Sequence, residues 1–149
     1  MPLFSRIPIN KTQVEKAISQ LETQTSAELR VYIERKIPKK TSSKTGVARA
    51  LVIFNDLEMY ETQARNAVLI YVAFKDHQCS IIGDQGIHQY VGEQFWQQQC
   101  DVMVNYFRQG EYTQGIVTAI ENIGKELALY FPIQPNDKNE LANEVIING

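Results

Sequence analysis

The sequence feature that most limits the fold is an unbroken apolar run near the middle of the chain. Residues 67–74 read Ala-Val-Leu-Ile-Tyr-Val-Ala-Phe, without any polar alternation. A strand with one exposed face alternates apolar and polar residues, so this run predicts a strand covered on both faces. The run is also far shorter than the roughly 20 residues that a membrane-spanning helix needs. We therefore predict a central strand with helices on both sides of its sheet.

The segments around this run predict a βαβ unit followed by a hairpin. Leu29, Val31 and Ile33 alternate with polar residues, which is typical of a strand with one buried face. A helical stripe over residues 46–57 separates this strand from the central one, and such a crossover makes the two strands parallel. Residues 79–82 follow a short turn and predict an antiparallel third strand. With an N-terminal helix and two long C-terminal helices, the predicted fold class is α/β, a three-layer α/β/α sandwich with a short mixed sheet.

The length and the net charge of the chain limit the kinds of protein that it can be. A chain of 149 residues has the size of one ordinary domain. We predict that residues 1–132 form it and that residues 133–149 are a largely mobile tail. The net charge of -2 gives no general attraction to nucleic acid, and no apolar segment is long enough for a membrane span. The first residues lack the apolar core of a secretory signal, so a cytoplasmic protein is expected.

The predicted strand directions bring polar residues from three segments to one edge of the sheet. The two parallel strands begin at that edge and the antiparallel strand ends there. The residues concerned are Glu28, Arg65, Asn66 and Asp84. Taken singly, Arg65 could be a surface ion partner of Glu28, and Asp84 could be a turn former. Together, their carboxylate and amide oxygens suit a hard cation such as calcium, whereas the chain offers no set of soft ligands for zinc.

A basic segment is predicted at the opposite edge. Its cations are Arg35, Lys36, Lys39, Lys40 and Lys44. Placed before the second helix, they could hold a phosphate group or bind an acidic protein partner. Such a run is more often only a solvated loop. Partner binding through residues 35–44 therefore stands as one alternative.

The residue types that carry covalent or zinc chemistry are sparse. Cys79 and Cys100 are far apart in the chain, and two buried free thiols are expected rather than a disulfide. Neither cysteine has an arginine at the sixth following position, so a phosphocysteine mechanism is not supported. His77 and His88 lack zinc-ligand spacing, and a lone histidine beside a turn more often makes a structural hydrogen bond. No organic cofactor is expected, and the residues alone name no reaction.

Short motifs in a fixed order nevertheless resemble a known family. They are TSAELRV at 25–31, RNAVLI at 65–70, IGDQGI at 82–87, FW at 95–96, FRQGEYTQG at 107–115 and FP at 131–132. Their order and spacing over about residues 10–132 are similar to those of the TPM domain, which occurs in a thylakoid lumen acid phosphatase and photosystem II repair protein family. The resemblance implies an α/β/α sandwich, and it suggests a stand-alone TPM domain without the signal peptide and C-terminal membrane span of many members.

The resemblance also implies two competing activities, calcium binding and acid phosphatase action. Glu28, Asn66 and Asp84 match acidic or polar motif positions, which makes them the metal-site candidates. Arg65 would be their orienting or anion-holding neighbour, and Ala67 replaces a glycine that is common after the Arg-Asn pair. The leading hypothesis is a calcium-binding module that acts through a protein partner. A weak phosphomonoesterase with the same carboxylates, whose catalytic residues are not identified, is the alternative.

Overall fold

Five α-helices and four strands make up the part of the chain that the computed structural model describes, residues 8–38, 46–133 and 145–148. The strands are β1 (Glu28–Glu34), β2 (Ala67–Ala73), β3 (Gln78–Gly83) and β4 (Ile146–Asn148). The helices are α1 (Lys11–Leu21), α2 (Gly46–Asp56), α3 (Gln85–Val91), α4 (Glu93–Arg108) and α5 (Tyr112–Tyr130). Among the described residues, none of these helices combines the length and the apolar composition needed to cross a bilayer.

The four strands form one mixed sheet in the order β3-β2-β1-β4. β1 runs parallel to β2 on one side and to β4 on the other, while β3 is antiparallel to β2. All seven residues of β2 are buried. The predicted central strand, its parallel βαβ partner and the antiparallel hairpin are all confirmed. Each strand follows from a local pattern of burial, and its direction follows from the helical crossover or the short turn that connects it to its neighbour.

Helices cover both faces of the sheet and create two apolar cores. On one face α2 packs against the β2 side chains of Leu69 and Tyr71. On the other face α1, α4 and α5 pack against Val68, Ile70 and Val72. Successive strand side chains point to opposite faces, so β2 supplies apolar residues to both cores in turn. The predicted three-layer α/β/α arrangement is therefore confirmed.

Two elements of the fold differ from the sequence-based expectation. The short helix α3 follows β3 directly, where only a turn was expected. Residues 146–148, within the predicted mobile tail of residues 133–149, form the edge strand β4. Val145 is buried, and its backbone N–H donates to Glu15 Oε2 at 2.9 Å, which adds a polar anchor to the strand pairing. Residues 134–144 and 149 of the predicted tail lie outside the described residues, so its mobility stays a prediction.

A buried polar cluster joins α2 to the sheet. Glu34 ends β1 on the α2 face and accepts two hydrogen bonds from Arg49, at 2.9 Å from Nε and 2.8 Å from the terminal nitrogen. Tyr71 of β2 donates its hydroxyl proton to the same carboxylate. Burial raises the pKa of Tyr71 above its usual value, and the hydrogen bond to Glu34 raises the pKa of Arg49. The buried charge is thus both paired and hydrogen-bonded, which is the condition for a buried carboxylate to be tolerated.

We expect Tyr71→Phe to lower the free energy of unfolding by about 1.5–3 kcal/mol, since a hydrogen bond to a charged group is lost. Urea denaturation followed by circular dichroism measures this change. Tyr90→Phe is the matched control, because Tyr90 is exposed and should change stability by less than about 0.5 kcal/mol. Equal effects of the two substitutions would contradict a stabilising role for the Glu34 cluster.

Candidate functional site

The register of the sheet places two of the predicted residues, Glu28 and Asp84, in one row at one edge. Glu28 pairs with Ala67 across β1 and β2, and the Asp84 backbone N–H donates to the Ala67 carbonyl at 2.9 Å. The row therefore runs from Glu28 through Ala67 to Asp84, which directly follows the last residue of β3. Because neighbouring strands lie about 4.8 Å apart, the two acidic residues are separated by about 10 Å between Cα atoms, with a small side chain between them.

The alternation of β1 and β2 decides which face this row uses. Leu29 and Val68 point into the core formed with α1, α4 and α5. Glu28 and Ala67, one position earlier on each strand, therefore belong to the α2 face. Glu28 is nevertheless buried, so it is not the solvated strand residue that the sequence allowed as an alternative.

Asp84 is held by three hydrogen bonds to its carboxylate. Its Oδ1 accepts from the Gln85 backbone N–H at 2.7 Å, which caps α3. The Arg65 guanidinium donates to both carboxylate oxygens, at 2.7 Å from Nε and 2.9 Å from the terminal nitrogen. Asp84 is only 7% exposed. Asp84 is therefore a helix cap and an ion-pair partner, in addition to the turn residue that the sequence suggested.

The loop before β2 carries Arg65 in a constrained backbone conformation. Arg65 has a φ of 51°, in the left-handed region that non-glycine residues seldom occupy. Its carbonyl accepts from the Gly86 N–H at 2.7 Å, and a Cβ on Gly86 would lie 2.0 Å from the Ala64 carbonyl oxygen. The loop thus lies directly against the first turn of α3. The Arg65 side chain remains 40% exposed, and its hydrogen bonds to Asp84 raise its pKa.

Two buried side-chain oxygens in this loop accept no hydrogen bond from any residue that the structure describes. They are Asn66 Oδ1 and Thr62 Oγ1, in residues that are 3% and 5% exposed. Leaving a buried polar atom unpaired costs about 1–3 kcal/mol, so such atoms usually meet a water or a ligand. The Arg65 N–H donates to the Thr62 carbonyl at 3.2 Å, which closes a tight turn between them. Sequence reasoning missed Thr62, because one threonine in a polar loop carries no signal.

The chemical character of this edge follows from its donor atoms. Carboxylate, amide and hydroxyl oxygens predominate, which suits a hard cation. Over residues 8–38, 46–133 and 145–148, no three histidine, cysteine or acidic side chains converge as a metal-binding group. A cation at this edge would therefore need the Asn66 amide, hydroxyl, backbone or water oxygens besides the two carboxylates.

The basic segment at the other end of the sheet is only partly described. Arg35 and Lys36 border a cavity of about 490 Å³ together with Glu34, Pro38 and Lys75. The Lys75 N–H donates to the Arg35 carbonyl at 2.8 Å, which joins the segment to the β2–β3 turn. The remaining predicted cations, Lys39, Lys40 and Lys44, lie outside the described residues. Partner binding through this segment stays a prediction.

His88 has the structural role expected of it. The Trp96 indole N–H donates to His88 Nδ1 at 3.1 Å. Trp96 itself is buried in the core beneath Gly83, where a Cβ would lie 2.6 Å from the indole ring. Both residues therefore serve to pack α3 and α4 against β3 and are not part of the edge site.

Comparison with known proteins identifies similar sequences and folds. A sequence model of the TPM domain matches residues 7–126. The NMR structure of BA42 protein from the psychrophilic bacterium Bizionia argentinensis is 34% identical, covers 97% of this chain and 99% of its own, and superposes with a TM-score of 0.83. The N-terminal domain of cg2496 protein from Corynebacterium glutamicum, at 9% identity, shares the fold alone, with 91% and 76% coverage and a TM-score of 0.58. No significant match is found among curated proteins.

We expect Gly86→Ala to destabilise the protein by about 1–3 kcal/mol, because the added Cβ would collide with the backbone of the loop before β2. The helix preference of alanine, about 1 kcal/mol, acts in the opposite direction and is smaller. Urea denaturation measures the net effect. Gly46→Ala is the control, since its Cβ would come no closer than 3.5 Å to any described atom. A Gly86→Ala protein as stable as this control would show that the loop does not need the close contact.

Proposed function

This chain belongs to the TPM domain family, and we propose that it is a divalent-cation-binding module that takes calcium and acts through a protein partner. The cation site is the sheet edge of Glu28, Asn66 and Asp84. The observation that carries the proposal is the buried Asn66 Oδ1, which accepts no hydrogen bond from the described residues. A cation would give this oxygen a partner and account for the cost of burying it.

The donor set of the edge suits calcium better than other metals. Calcium accepts about six to eight oxygen ligands in a flexible arrangement, and carboxylates, amide carbonyls and water are its usual donors. Glu28 and Asp84 would supply negative charge, and Asn66 would supply a neutral oxygen. Thr62 is a fourth oxygen within the same loop. Magnesium demands a stricter octahedral geometry, which makes this set less suitable for it.

Arg65 gives the proposed site a mechanism for exchange. In the structure its guanidinium neutralises Asp84 through two hydrogen bonds. Because the Arg65 side chain is partly exposed, it can turn into solvent when a cation takes over the Asp84 carboxylate. Cation binding would then release a guanidinium at the protein surface. Such a change gives the module a means of altering the surface that a partner meets.

We expect a calcium titration followed by amide chemical shifts to perturb Glu28, Arg65, Asn66 and Asp84 first. Asp84→Asn should weaken calcium binding at least about tenfold, because it removes one of two carboxylates from the site. Asparagine caps helices as well as aspartate does, so α3 should be retained in this variant. Asp56→Asn, at an exposed position at the end of α2, is the matched control and should bind calcium as the unmodified protein does.

A second variant tests the exchange mechanism. Arg65→Gln removes the cation that competes for Asp84 and should raise calcium affinity. Unchanged amide shifts in millimolar calcium would overturn the proposed site. Calcium binding that is weakened by Arg65→Gln would instead leave the site intact and assign Arg65 to orienting Asp84.

Weak phosphomonoesterase activity at the same edge is the second candidate. The observation that favours it is the partly exposed Arg65 guanidinium next to a buried carboxylate, an arrangement that can hold a phosphate anion. The Asp84→Asn protein tests this second function when its hydrolysis of a phosphomonoester is compared with that of the unmodified protein. Hydrolysis of a phosphomonoester that persists in this variant excludes the Asp84 edge as the seat of the reaction.

A further inference from the structure

The fold brings together the only two cysteines of the chain. Cys79 lies on β3 and Cys100 lies on α4, which packs across that strand. The Cys79 thiol donates to the Cys100 carbonyl oxygen, with 3.6 Å between Sγ and O. Both thiols are free and only partly buried. The sequence predicted two buried free thiols; both are free, but each is only partly buried, and their contact was not predicted.

The two cysteines share a cavity that a small molecule can enter. Its volume is about 230 Å³, and His88, Glu93 and Trp96 line it together with the two thiols. A water molecule occupies about 30 Å³ in the liquid, so the cavity has room for a small oxidant next to sulfur. The cavity lies along the edge strand β3, between α4 and Val47 of α2, and its lining includes none of Glu28, Asn66 and Asp84.

We infer that Cys79 and Cys100 form a redox-active dithiol that a peroxide oxidises to an intramolecular disulfide. This is a modification site separate from the cation site. The inference rests on the contact between the two residues and on the cavity that admits the oxidant. Residues 79–100 would be enclosed by the new bond, a segment that includes α3.

The environment assigns different roles to the two sulfurs. The neighbouring Cys79 side chain lowers the pKa of the Cys100 thiol, and the Cys100 side chain together with burial raises the pKa of the Cys79 thiol. Burial and the charges of Asp101 and Glu93 oppose the effect on Cys100, but they are smaller. The thiolate is the reactive form of cysteine. Cys100 is therefore the attacking residue and Cys79 the resolving residue.

The reaction with hydrogen peroxide is balanced in two steps. In the first, the Cys100 thiolate attacks one peroxide oxygen, the O–O bond breaks, and the departing hydroxide takes up a proton to become water. Cys100 is then a sulfenic acid. In the second, the Cys79 sulfur attacks the Cys100 sulfur, the S–O bond breaks, and the hydroxyl group leaves with the Cys79 proton as water. Two thiols lose two electrons and two protons, and one peroxide is reduced to two waters.

The test is to treat the reduced full-length protein with hydrogen peroxide and to measure intact mass and digested peptides. We expect the loss of two hydrogen atoms from the monomer and a peptide pair linked through Cys79 and Cys100. A reducing agent such as dithiothreitol should restore the original mass. A monomer that keeps both hydrogens in millimolar peroxide, or that gains only oxygen atoms, would overturn the inference.

Single substitutions test the assigned order. Cys79→Ser should stop the reaction at a Cys100 sulfenic acid, which dimedone traps, whereas Cys100→Ser should leave Cys79 unmodified. In the unmodified protein, iodoacetamide at neutral pH should label Cys100 at least about tenfold faster than Cys79. Faster labelling of Cys79, or dimedone trapping at Cys79 in the Cys100→Ser protein, would contradict the roles. Amide spectra of both variants confirm that each is folded before oxidation.

Discussion

Burial of β2 on both faces governs the architecture of this domain. All seven residues of this strand are inside the protein, so the chain must provide a helical layer above and below it. The crossover through α2 makes β1 parallel to β2, and the short turn after Phe74 makes β3 antiparallel. These strand directions determine which ends of β1, β2 and β3 lie together at each edge of the sheet.

The two ends of β1 carry buried carboxylates with different surroundings. Glu34 lies at the C-terminal end, where Arg49 and Tyr71 satisfy it from two elements. The other end carries Glu28, and in the same row, beyond Ala67, Asp84 is paired with the partly exposed Arg65. Asn66, which precedes Ala67, retains an oxygen that accepts no hydrogen bond from the described residues. In the first arrangement the Glu34 carboxylate is fully hydrogen-bonded, as a stabilising cluster requires. In the second, the buried Asn66 Oδ1 has no hydrogen-bond partner among the described residues, and the proposed cation site rests on this atom.

The strand β3 connects the proposed cation site with the proposed thiol pair. Its alternation directs Cys79 and Ile81 toward α4, while Ile82 packs with the α2 core. Asp84 follows the last residue of the strand and begins α3. The two proposed sites therefore involve opposite ends of this short strand, with Cys79 near its start and Asp84 just after its end.

The sequence alone was enough to predict the strand directions and the layers, because the burial period of each segment is a local property. From those directions it also determined that residues 28, 66 and 84 would lie at one edge. It did not determine which groups would touch. The pairing of Arg65 with Asp84, the contact between Cys79 and Cys100, and the addition of β4 to β1 all join residues that are distant along the chain. A pattern of apolar and polar residues indicates which face of a segment is buried, but not which residues pack against it. These contacts therefore depend on the packing of the complete tertiary structure.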